Sequence, residues 1–495
     1  MKIKKSLLPL IVLTAFISGC GSFGNSSSGD ISLSISPSNY VDVYETNGTG
    51  ARLFARRSSI ELSAETHSNP VVEIMTDKQY QKILGFGAAL THSAASVLME
   101  DTIGTTRSRV LHDFFSPEGA NYSAVRIPIG SSDYIAESEY FSCDDNGGNE
   151  DLTLEHFTLG HDENIIAVLK EIIAINPNIQ IMAAPWSAPA WMKTTSSLIG
   201  GALKDDRIDV YADYLAKFIH EYALEGISIT HLSIINEPNA SSLAYPYMRV
   251  DSDMAIRIIS ALKLILPSSV DISIYDHNTG GVMIDYIDAE YKNADVNSVS
   301  KTIALHNYNT INQSVSEACA EISSLYPDKG IWVSEYTEHK ESIDFAANLV
   351  FTSQQVSAEP INNGLIGGIY WNLALHANGT PGLGNDKCYG LTDFDVKVGG
   401  EVQTKYKASY YAMMHTAKFL GRVNGALPRA LRIESEDGNV VGCAFVRGDG
   451  AVVLVLCNTN DQLNAKLDIK LGSAYFEYDF NCQTVASFIY RGDGA

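Results

Sequence analysis

The sequence predicts an α/β protein: a (β/α)8 TIM barrel with a side antiparallel β-sandwich domain built from both termini. Three observations predict this fold. Short apolar strands alternate with helix-length amphipathic segments through residues 81–420. Residues 31–80 and 421–495 instead carry β-rich patterns separated by turns. The chain has 495 residues and 45% hydrophobic content, enough for a large core and more than one domain.

The predicted barrel strands are eight short apolar segments. In order they are LGFGAAL (84–90), SAVRIPIG (123–130), IQIMAAPWS (179–187), ITHLSIIN (229–236), DISIYDHN (271–278), TIALHNYN (302–309), IWVSEY (331–336) and IGGIYWNLAL (366–375). The stretches between them have helical periodicity. In DVYADYLAKFIHEYALEG (209–226), apolar residues recur every three or four positions and Gly226 marks the end. Eight such units favour a closed barrel, and an open doubly wound sheet is the alternative.

The two ends of the chain differ from the barrel in pattern. AVVLVLCNT (451–459) follows the turn RGDG (447–450), and further short strands continue to the C-terminus. Short strands joined by Gly, Asn and Asp turns are typical of a small sandwich. Because both ends carry them, we expect residues 31–80 and 421–495 to build one discontinuous domain.

The first twenty residues, MKIKKSLLPLIVLTAFISGC, are typical of an export signal. A basic start precedes an apolar run that is too short to span a membrane. The ending ISGC resembles a bacterial lipobox, in which Cys20 is lipidated and becomes the new N-terminus; an ordinary signal peptide is the alternative. Residues 21–30 are a Gly/Ser-rich linker suited to a tether. We therefore expect an exported protein, anchored to a bacterial membrane in the cell envelope or on the surface, or secreted.

The charge and the cysteines restrict the partners and the redox chemistry. A net charge of −23 argues against nucleic acid as a partner and favours a neutral or cationic substrate. Six cysteines remain if Cys20 is lipidated, and they allow fifteen disulfide pairings. Free buried thiols are the interpretation that we favour slightly. The sequence does not determine the oligomeric state.

Two carboxylates end apolar strands, Glu237 on the fourth and Glu335 on the seventh. In a barrel, the carboxyl ends of the strands carry the reactive residues. Glycoside hydrolysis needs two carboxyl groups, one protonated to give a proton to the leaving oxygen and one ionised. The strand ends also carry Arg126 and the aromatic residues Trp186, Tyr308 and Trp371. Aromatic rings suit a sugar site because sugars present apolar C–H faces.

Other chemistries have weaker support. GFGAAL (85–90) begins like a dinucleotide-binding loop but has Leu90 in place of the third glycine. HExxH, EF-hand, Walker A and GxSxG motifs are absent from the sequence. The histidines His92, His306 and His376 are scattered and are expected to form hydrogen bonds at the barrel rim, not to bind metal.

Several motifs, in this order, resemble glycoside hydrolase family 30, the family of lysosomal glucosylceramidase and of bacterial and fungal β-1,6-glucanases. They are KILGFGAALTHSAA (82–95), APWSAPAWMKT (184–194), NEP (236–238), ALHNY (304–308), SE (334–335), YWNLAL (370–375) and FLGRVNGALPRALRI (419–433). The order WSAPAWMKT followed by NEP is specific, whereas any one tripeptide is not. The resemblance runs from about residue 82 to the C-terminus.

The resemblance implies a retaining mechanism with Glu237 as general acid/base and Glu335 as nucleophile, their carboxyl groups about 5–5.5 Å apart. It implies no metal and no organic cofactor. The substrate is expected to be a β-linked carbohydrate. The residues expected to bind it are Asn236, at the sugar 2-hydroxyl, together with Asp133, Trp186, Trp371, Tyr308, His306, Tyr245 and Tyr247.

The sequence departs from the family pattern in two places. Family members often have Asp where this chain has His92. The stretch HANGTPGLGNDKCYGLTDFD (376–395) differs from glucosylceramidase and should border the pocket. β-Glucosides or β-1,6-glucan are the favoured substrates, with β-xylosides or β-1,6-galactan as alternatives. A non-catalytic carbohydrate-binding lipoprotein is the alternative from another class, although such a protein is expected to have lost one of the two carboxylates.

Overall fold

A computed structural model describes residues 40–241, 244–308, 312–338, 344–382 and 388–492. The predicted export signal with Cys20 and the linker 21–30 lie outside the described residues.

The described residues contain eight parallel strands that close into a barrel. In chain order they are β1 (Gly85–Ala89), β2 (Ala124–Ile129), β3 (Gln180–Pro185), β4 (His231–Leu232), β5 (Asp271–Asn278), β6 (Thr302–His306), β7 (Gly330–Glu335) and β8 (Leu365–Tyr370). Closure is made by β8 pairing with β1, where Gly367 faces Gly85. The eight predicted strands all take part, so the predicted barrel is confirmed and the open sheet is wrong.

The barrel strands are buried on both faces. Every residue of β2, β7 and β8 is buried, and the strands do not alternate between polar and apolar positions. This is the pattern of a parallel sheet whose outer face is covered by helices. Within the described part of the chain, the α-helices are α1 (His92–Met99), α2 (Thr105–Phe115), α3 (Glu163–Ile175), α4 (Ile208–Leu224), α5 (Ser252–Leu262), α6 (Met283–Lys292), α7 (Ala294–Val299), α8 (Val315–Leu325), α9 (Phe345–Thr352) and α10 (Ala408–Ala417).

Helix α4 shows how the sequence sets these elements. Its buried residues, among them Tyr211, Leu215, Phe218 and Tyr222, recur at three- and four-residue steps and form one face. Beyond the helix, Gly226 takes a φ of 81°, and Ile227 N–H donates to the Tyr222 carbonyl. A left-handed glycine followed by such a bond is a common way to end a helix.

The side domain is a β-sandwich made from both ends of the described chain. Its strands are, in spatial order, Ala55–Arg56, Tyr40–Asn47, Thr484–Tyr490, Val452–Asn458, Val440–Val446, Arg429–Ser435, Val71–Met75, Ala465–Leu471 and Ala474–Phe480, with Ile60–Glu61 pairing on Tyr40–Asn47. The pairing is antiparallel except between Val71–Met75 and Ala465–Leu471. The predicted discontinuous sandwich is therefore confirmed, with one parallel pair that the turn pattern did not indicate.

Two smaller features complete the fold. Ile199–Ala202 pairs in parallel with Tyr247–Arg249, and Ala374–Leu375, Thr392–Val396 and Val402–Tyr406 form a three-stranded sheet. Across the described ranges, no helix is both long and apolar enough to cross a membrane. The six cysteines after Cys20 are free thiols.

Candidate active site

Strands β4, β5 and β7 bring three carboxylates to the same end of the barrel. Glu335 is the last residue of β7, Glu237 follows β4, and Asp276 lies near the end of β5. The buried His306 ring at the end of β6 contacts all three. Its Nδ1 lies 3.0 Å from Glu237 Oε1, and its Nε2 lies 3.1 Å from Asp276 Oδ1 and 3.9 Å from Glu335 Oε2. The two predicted catalytic carboxylates therefore face one imidazole.

Glu237 is directed to this position by an unusual backbone. It has a φ of 49°, in the left-handed region that a residue with a side chain seldom adopts. Its N–H donates to the Asp276 carbonyl at 3.0 Å, and the Asn236 N–H donates to the Pro185 carbonyl at 2.7 Å. The β4 ladder is confined to His231–Leu232 and ends before the motif.

The end of β5 also departs from regular geometry. Tyr275 and Asp276 have φ values of 71° and 48°, and the pairing with β6 shifts register between Tyr275 and His277. A bulge of this kind changes the direction of the side chains that follow it. It allows successive residues to face the site: His277 Nδ1 lies 3.7 Å from Glu237 Oε1, and Asn278 Nδ2 donates to the same oxygen at 3.3 Å.

Arg126, on β2, is a fully buried cation in contact with the carboxylates of the site. It donates from Nη1 to Glu335 Oε2 at 2.5 Å, and from Nη2 to Asn236 Oδ1 at 2.7 Å and Asp276 Oδ2 at 2.9 Å. Burying a guanidinium is costly unless carboxylates and hydrogen bonds compensate for it. Burial raises the pKa of Asp276, but the charge of Arg126 and the bond from His306 outweigh it and hold this pKa well below its usual range.

Glu335 is held from two sides. Besides the bond from Arg126, the Tyr308 hydroxyl donates to Oε1 at 3.0 Å. Tyr308 is itself fixed by its backbone N–H, which donates to Asn278 Oδ1 at 2.9 Å. The carboxylate of Glu335 therefore accepts hydrogen bonds at both oxygens, which fix its position and orientation.

Trp186 and Trp371 stack on one another, with ring centroids 5.1 Å apart. Both are nearly fully buried, and the Arg126 guanidinium lies 5.0 Å and 5.7 Å from their ring centroids. The structure thus places the two rings against the cation that holds Glu335. Their predicted contact with a sugar stays a prediction.

Asp133 is half-buried in the loop after β2. Burial, followed by the negative charge of Glu335, raises the pKa of Asp133 to about 8. The carboxyl group therefore keeps its proton to a higher pH than an ordinary aspartate, and in the protonated form it is able to donate a hydrogen bond. The adjacent Tyr134 packs edge-on against Trp371 and bonds the backbone of Cys388.

The loops after β3 and β4 are joined by a buried lysine. Lys193 donates to Ser187 Oγ at 2.6 Å, to the Leu198 carbonyl at 2.8 Å and to the Tyr247 carbonyl at 2.9 Å. Burial lowers its pKa to about 7. Tyr247 therefore lies in the short two-stranded sheet that joins these loops, while Tyr245 packs against the cluster that contains the two stacked tryptophans.

The predicted site residues fall into two groups. Contacts join Glu237, Glu335, Asn236, His306 and Tyr308 in one network around Arg126. The negative charges of Glu335 and Glu237 also raise the pKa of Asp133. Tyr247 lies in the short sheet beyond β4, Tyr245 packs against the tryptophan cluster, and Cys20 lies outside the described residues.

Four residues of this region had no role predicted from the sequence: Asp276, His277, Asn278 and Lys193. The signal for the first three was present, because the strand DISIYDHN ends in three polar residues. The bulge that brings them all to the site could not be read from the alternation of residue types. For Lys193, the only signal in the sequence was its position in the WMKT motif.

One cluster in the described residues has the ligand types of a metal site: His67, Asp468 and Glu477 in the sandwich. The Asn69 amide donates to Asp468 Oδ1 at 2.9 Å and to Glu477 Oε2 at 3.0 Å. The oxygens that face His67 are thus already hydrogen-bonded, and we interpret the cluster as a polar network that holds the 63–70 loop on the sheet.

Comparison with known proteins agrees with this geometry. The TIM-barrel domain of glycosyl hydrolase family 30 matches residues 83–420, and the family 30 beta-sandwich domain matches residues 430–488. An endo-1,6-beta-D-glucanase of Neurospora crassa is 30% identical over 358 residues, covering 69% of this chain and 70% of its own. The lysosomal acid glucosylceramidase of Mus musculus is 23% identical, covering 85% and 83%.

A solved structure gives the same result. The endo-beta1,6-glucanase BT3312 superposes with a TM-score of 0.80 at 26% identity, over 92% of this chain and 100% of that one. The family domains cover most of the chain, and the barrel brings the two carboxylates of the motif to one site. The chain therefore belongs to glycosyl hydrolase family 30 and is a glycoside hydrolase.

Proposed function

We propose that the protein hydrolyses β-glycosides with retention, by double displacement, with Glu335 as nucleophile and Glu237 as general acid/base. The observation that carries this proposal is the pair of carboxylates on opposite sides of the His306 ring, with Glu335 hydrogen-bonded at both oxygens. In such a mechanism, one carboxylate attacks the anomeric carbon while the other protonates the departing oxygen. Water then hydrolyses the glycosyl-enzyme with the second group as base.

Glu335 suits the role of nucleophile because its surroundings hold the carboxylate in one position. Arg126 and Tyr308 donate to its two oxygens, and both donors are anchored by other bonds. A preorganised carboxylate of this kind loses little freedom when it attacks. Glu237 is hydrogen-bonded to an ionisable ring, which suits a group that must give and take a proton.

The neighbouring side chains supply donors for sugar hydroxyls. Arg126 donates to the Asn236 Oδ1, so the bond orients the amide with its Nδ2 as the donor for the 2-hydroxyl. The carboxyl group of Asp133, in its protonated form, is a second donor. Trp186, Trp371, Tyr245 and Tyr308 supply the aromatic lining, and Tyr247 and His306 complete the set that we assign to substrate binding.

We favour β-glucosides or β-1,6-glucan as substrates. Support comes from relatives that are named as an endo-1,6-beta-glucanase and a glucosylceramidase. β-Xylosides and β-1,6-galactan are the second choice. Product analysis over a panel of β-1,6-glucan, β-1,6-galactan, xylan and aryl glycosides distinguishes them, and a preference for xylan or galactan would contradict the glucoside assignment.

Two experiments test the mechanism. Proton NMR of the first product from an aryl β-glucoside should show the β-anomer, and an α-anomer contradicts retention. Glu335→Gln and Glu237→Gln are each compared with Glu73→Gln, a change in the sandwich. We expect Glu335→Gln to lower turnover by at least about 10³-fold and Glu73→Gln to leave turnover unchanged. Near wild-type turnover of Glu335→Gln would show that the nucleophile is another group.

We also propose that the mature protein is an exported lipoprotein, anchored by Cys20 to a bacterial membrane through the 21–30 linker. The proposal rests on the lipobox-like ISGC ending. In detergent phase separation of the expressed full-length chain, we expect the wild type in the detergent phase and Cys20→Ala in the aqueous phase. The same partition for both chains would contradict the anchor.

A further inference from the structure

Lys193 is a buried cation that the proposed mechanism does not use. Its side chain is fully buried, in the chain that follows β3. The partners of its Nζ are the Ser187 hydroxyl and the carbonyls of Leu198 and Tyr247, all of them neutral groups. Burying an ammonium group is costly unless its donors are satisfied, so the position is fitted to one arrangement of these partners.

The directions of the hydrogen bonds require three donors on the lysine. The Ser187 hydroxyl donates to the Ala188 carbonyl at 2.8 Å, so its oxygen accepts from Lys193. The other two partners are carbonyls, which only accept. Three acceptors match the three N–H groups of an ammonium, and a side chain without these donors leaves all three acceptors unpaired.

The bonds of Lys193 connect the site to the two-stranded sheet made of Ile199–Ala202 and Tyr247–Arg249, which we call the outer sheet. One partner, Ser187, directly follows the stacked Trp186. The other two partners are the first residue of one strand of the outer sheet and the residue just before the other strand. Lys193 therefore ties the outer sheet to the chain that carries Trp186.

The outer sheet lies beside the leaving-group side of the site. In the proposed mechanism Glu237 gives a proton to the departing oxygen, so the leaving group lies next to Glu237. The chain that continues at Pro238 returns at Val250, whose N–H donates to the Pro238 carbonyl at 3.0 Å. Val250 directly follows the strand Tyr247–Arg249. The outer sheet is therefore anchored next to the proposed acid/base residue.

The outer sheet carries a half-exposed aromatic ring. A Cβ added at Gly200 would lie 3.2 Å from the Tyr247 hydroxyl, so the ring lies over the glycine of the neighbouring strand. Tyr245, two residues earlier, is also half-exposed and packs against the cluster of stacked tryptophans. Aromatic rings of this kind fit the apolar C–H face of a sugar unit in the leaving group.

The two catalytic carboxylates are held by other bonds. Glu335 accepts hydrogen bonds from a residue of β2 and from one just beyond β6, and Glu237 contacts residues of β5 and β6. Neither set of bonds includes Lys193. Its loss should therefore shift the outer sheet and leave the two carboxylates in place.

We propose that Lys193 is a positioning residue that sets the affinity for the leaving-group part of an extended substrate. It holds the outer sheet at a fixed distance from Trp186, so that the reacting sugar and the departing sugar each meet a surface in the correct place. The inference rests on the proposed function, since it assigns the residue that aligns the two parts of that substrate.

The test compares two substrates of the wild type and of Lys193→Met. β-Glucosyl fluoride has a leaving group of one atom, which does not reach the outer sheet, whereas the leaving group of β-1,6-glucotriose contains sugar. For the triose we expect KM to rise at least about tenfold, with kcat within about threefold of the wild type. For the fluoride, both constants should stay within about threefold.

Lys329→Met is the matched control. Lys329 is also nearly buried, and its Nζ donates to the carbonyls of Asn297 and Ser300 and to Asn297 Oδ1. It precedes β7, at the end of the barrel opposite the site, so its loss should leave both KM values unchanged. An unchanged KM of Lys193→Met for the triose, an equal loss on both substrates, or a loss confined to kcat overturns the proposal.

Ser187→Ala is a milder variant. It keeps the lysine and removes one of its three acceptors, while two carbonyls still hold the ammonium group. We expect KM for the triose to rise about threefold, with no change for the fluoride. An unchanged KM for the triose overturns the tie between Lys193 and the chain of Trp186, even if Lys193→Met fails to fold.

A second measurement needs no substrate. Hydrogen exchange followed by mass spectrometry reports local opening of the chain. In Lys193→Met, peptides that cover 196–203 and 245–250 should exchange faster than in the wild type, and peptides of β5 to β7 should not change. Equal exchange of the outer sheet in both proteins overturns the proposal. A wild type that cleaves neither the fluoride nor the triose would overturn the proposed function instead.

Discussion

The open end of the barrel and the core of the sandwich bury different kinds of side chain. At the barrel end, Arg126, Asp276 and His306 are buried together and hold Glu237 and Glu335. Between the sandwich layers, the core is made of aliphatic and aromatic side chains. Buried charges contribute little net stability, whereas apolar burial is the main term that favours folding. The comparison teaches that the barrel end is built for chemistry and the sandwich core for stability.

Among the substitutions that compare the two regions, Arg126→Met should have the largest effect, because it lowers both stability and activity. The change removes the partner of Glu335, Asn236 and Asp276 and leaves buried carboxylates with fewer donors. We expect a loss of about 3–5 kcal/mol in the free energy of unfolding and at least about 100-fold in kcat. Urea unfolding and kinetics on an aryl β-glucoside measure the two effects.

Arg432→Met is the matched control for Arg126→Met. Arg432 is half-buried in the sandwich and donates to the neutral Ile361 carbonyl. Its loss leaves no carboxylate unpaired, and kcat should be unchanged. Equal effects of the two substitutions on kcat would remove the distinction between the regions.

Phe488→Ala should separate stability from activity. Phe488 is buried in the sandwich and packs against Phe476 and Tyr478, with ring centroids 5.3 Å and 4.8 Å away. We expect a loss of about 3–5 kcal/mol in the free energy of unfolding. Because no site residue changes, kcat of the folded enzyme should equal that of the wild type. A tenfold fall in kcat would contradict the division of roles.

Asp133→Asn should change the pH dependence of stability. The pKa of Asp133 is about 8 in the folded protein, above its ordinary value. From about pH 4 to pH 8 the folded protein keeps a proton that the unfolded chain releases, so stability falls as the pH rises. The variant lacks this titration, so its free energy of unfolding relative to the wild type should rise over the same interval. If the free energies of unfolding of the two proteins run parallel from pH 4 to 8, the raised pKa of Asp133 is contradicted.

The smallest effect should come from Lys470→Met at the rim of the sandwich. Lys470 pairs with Glu73 at 2.7 Å on a solvated surface, where ion pairs contribute little. Neither the unfolding midpoint nor kcat should change measurably. A clear loss of stability would show that the rim charges of the sandwich matter as those of the barrel end do.

The sequence predicted most of the fold because strand composition and helical periodicity are local signals. The eight strands, helix α4 and the sandwich from both ends follow from these patterns. Glu237 and Glu335 were predicted as the catalytic pair because each ends an apolar run in the sequence. Asp276 and Lys193 were given no role, because their importance depends on a bulge and on loop–loop contacts. The state of Glu237 also depends on tertiary contacts: a raised pKa suits a general acid, yet the neighbouring imidazoles lower it.

Trapping of the covalent intermediate tests the central claim most directly. The enzyme is incubated with 2,4-dinitrophenyl 2-deoxy-2-fluoro-β-glucoside, digested and analysed by mass spectrometry. We predict a fluoroglucosyl group on the peptide that contains Glu335, with none on that peptide in Glu335→Gln. A label on Glu237 or elsewhere in the wild type, or an unlabelled enzyme that hydrolyses β-glucosides, would contradict the account.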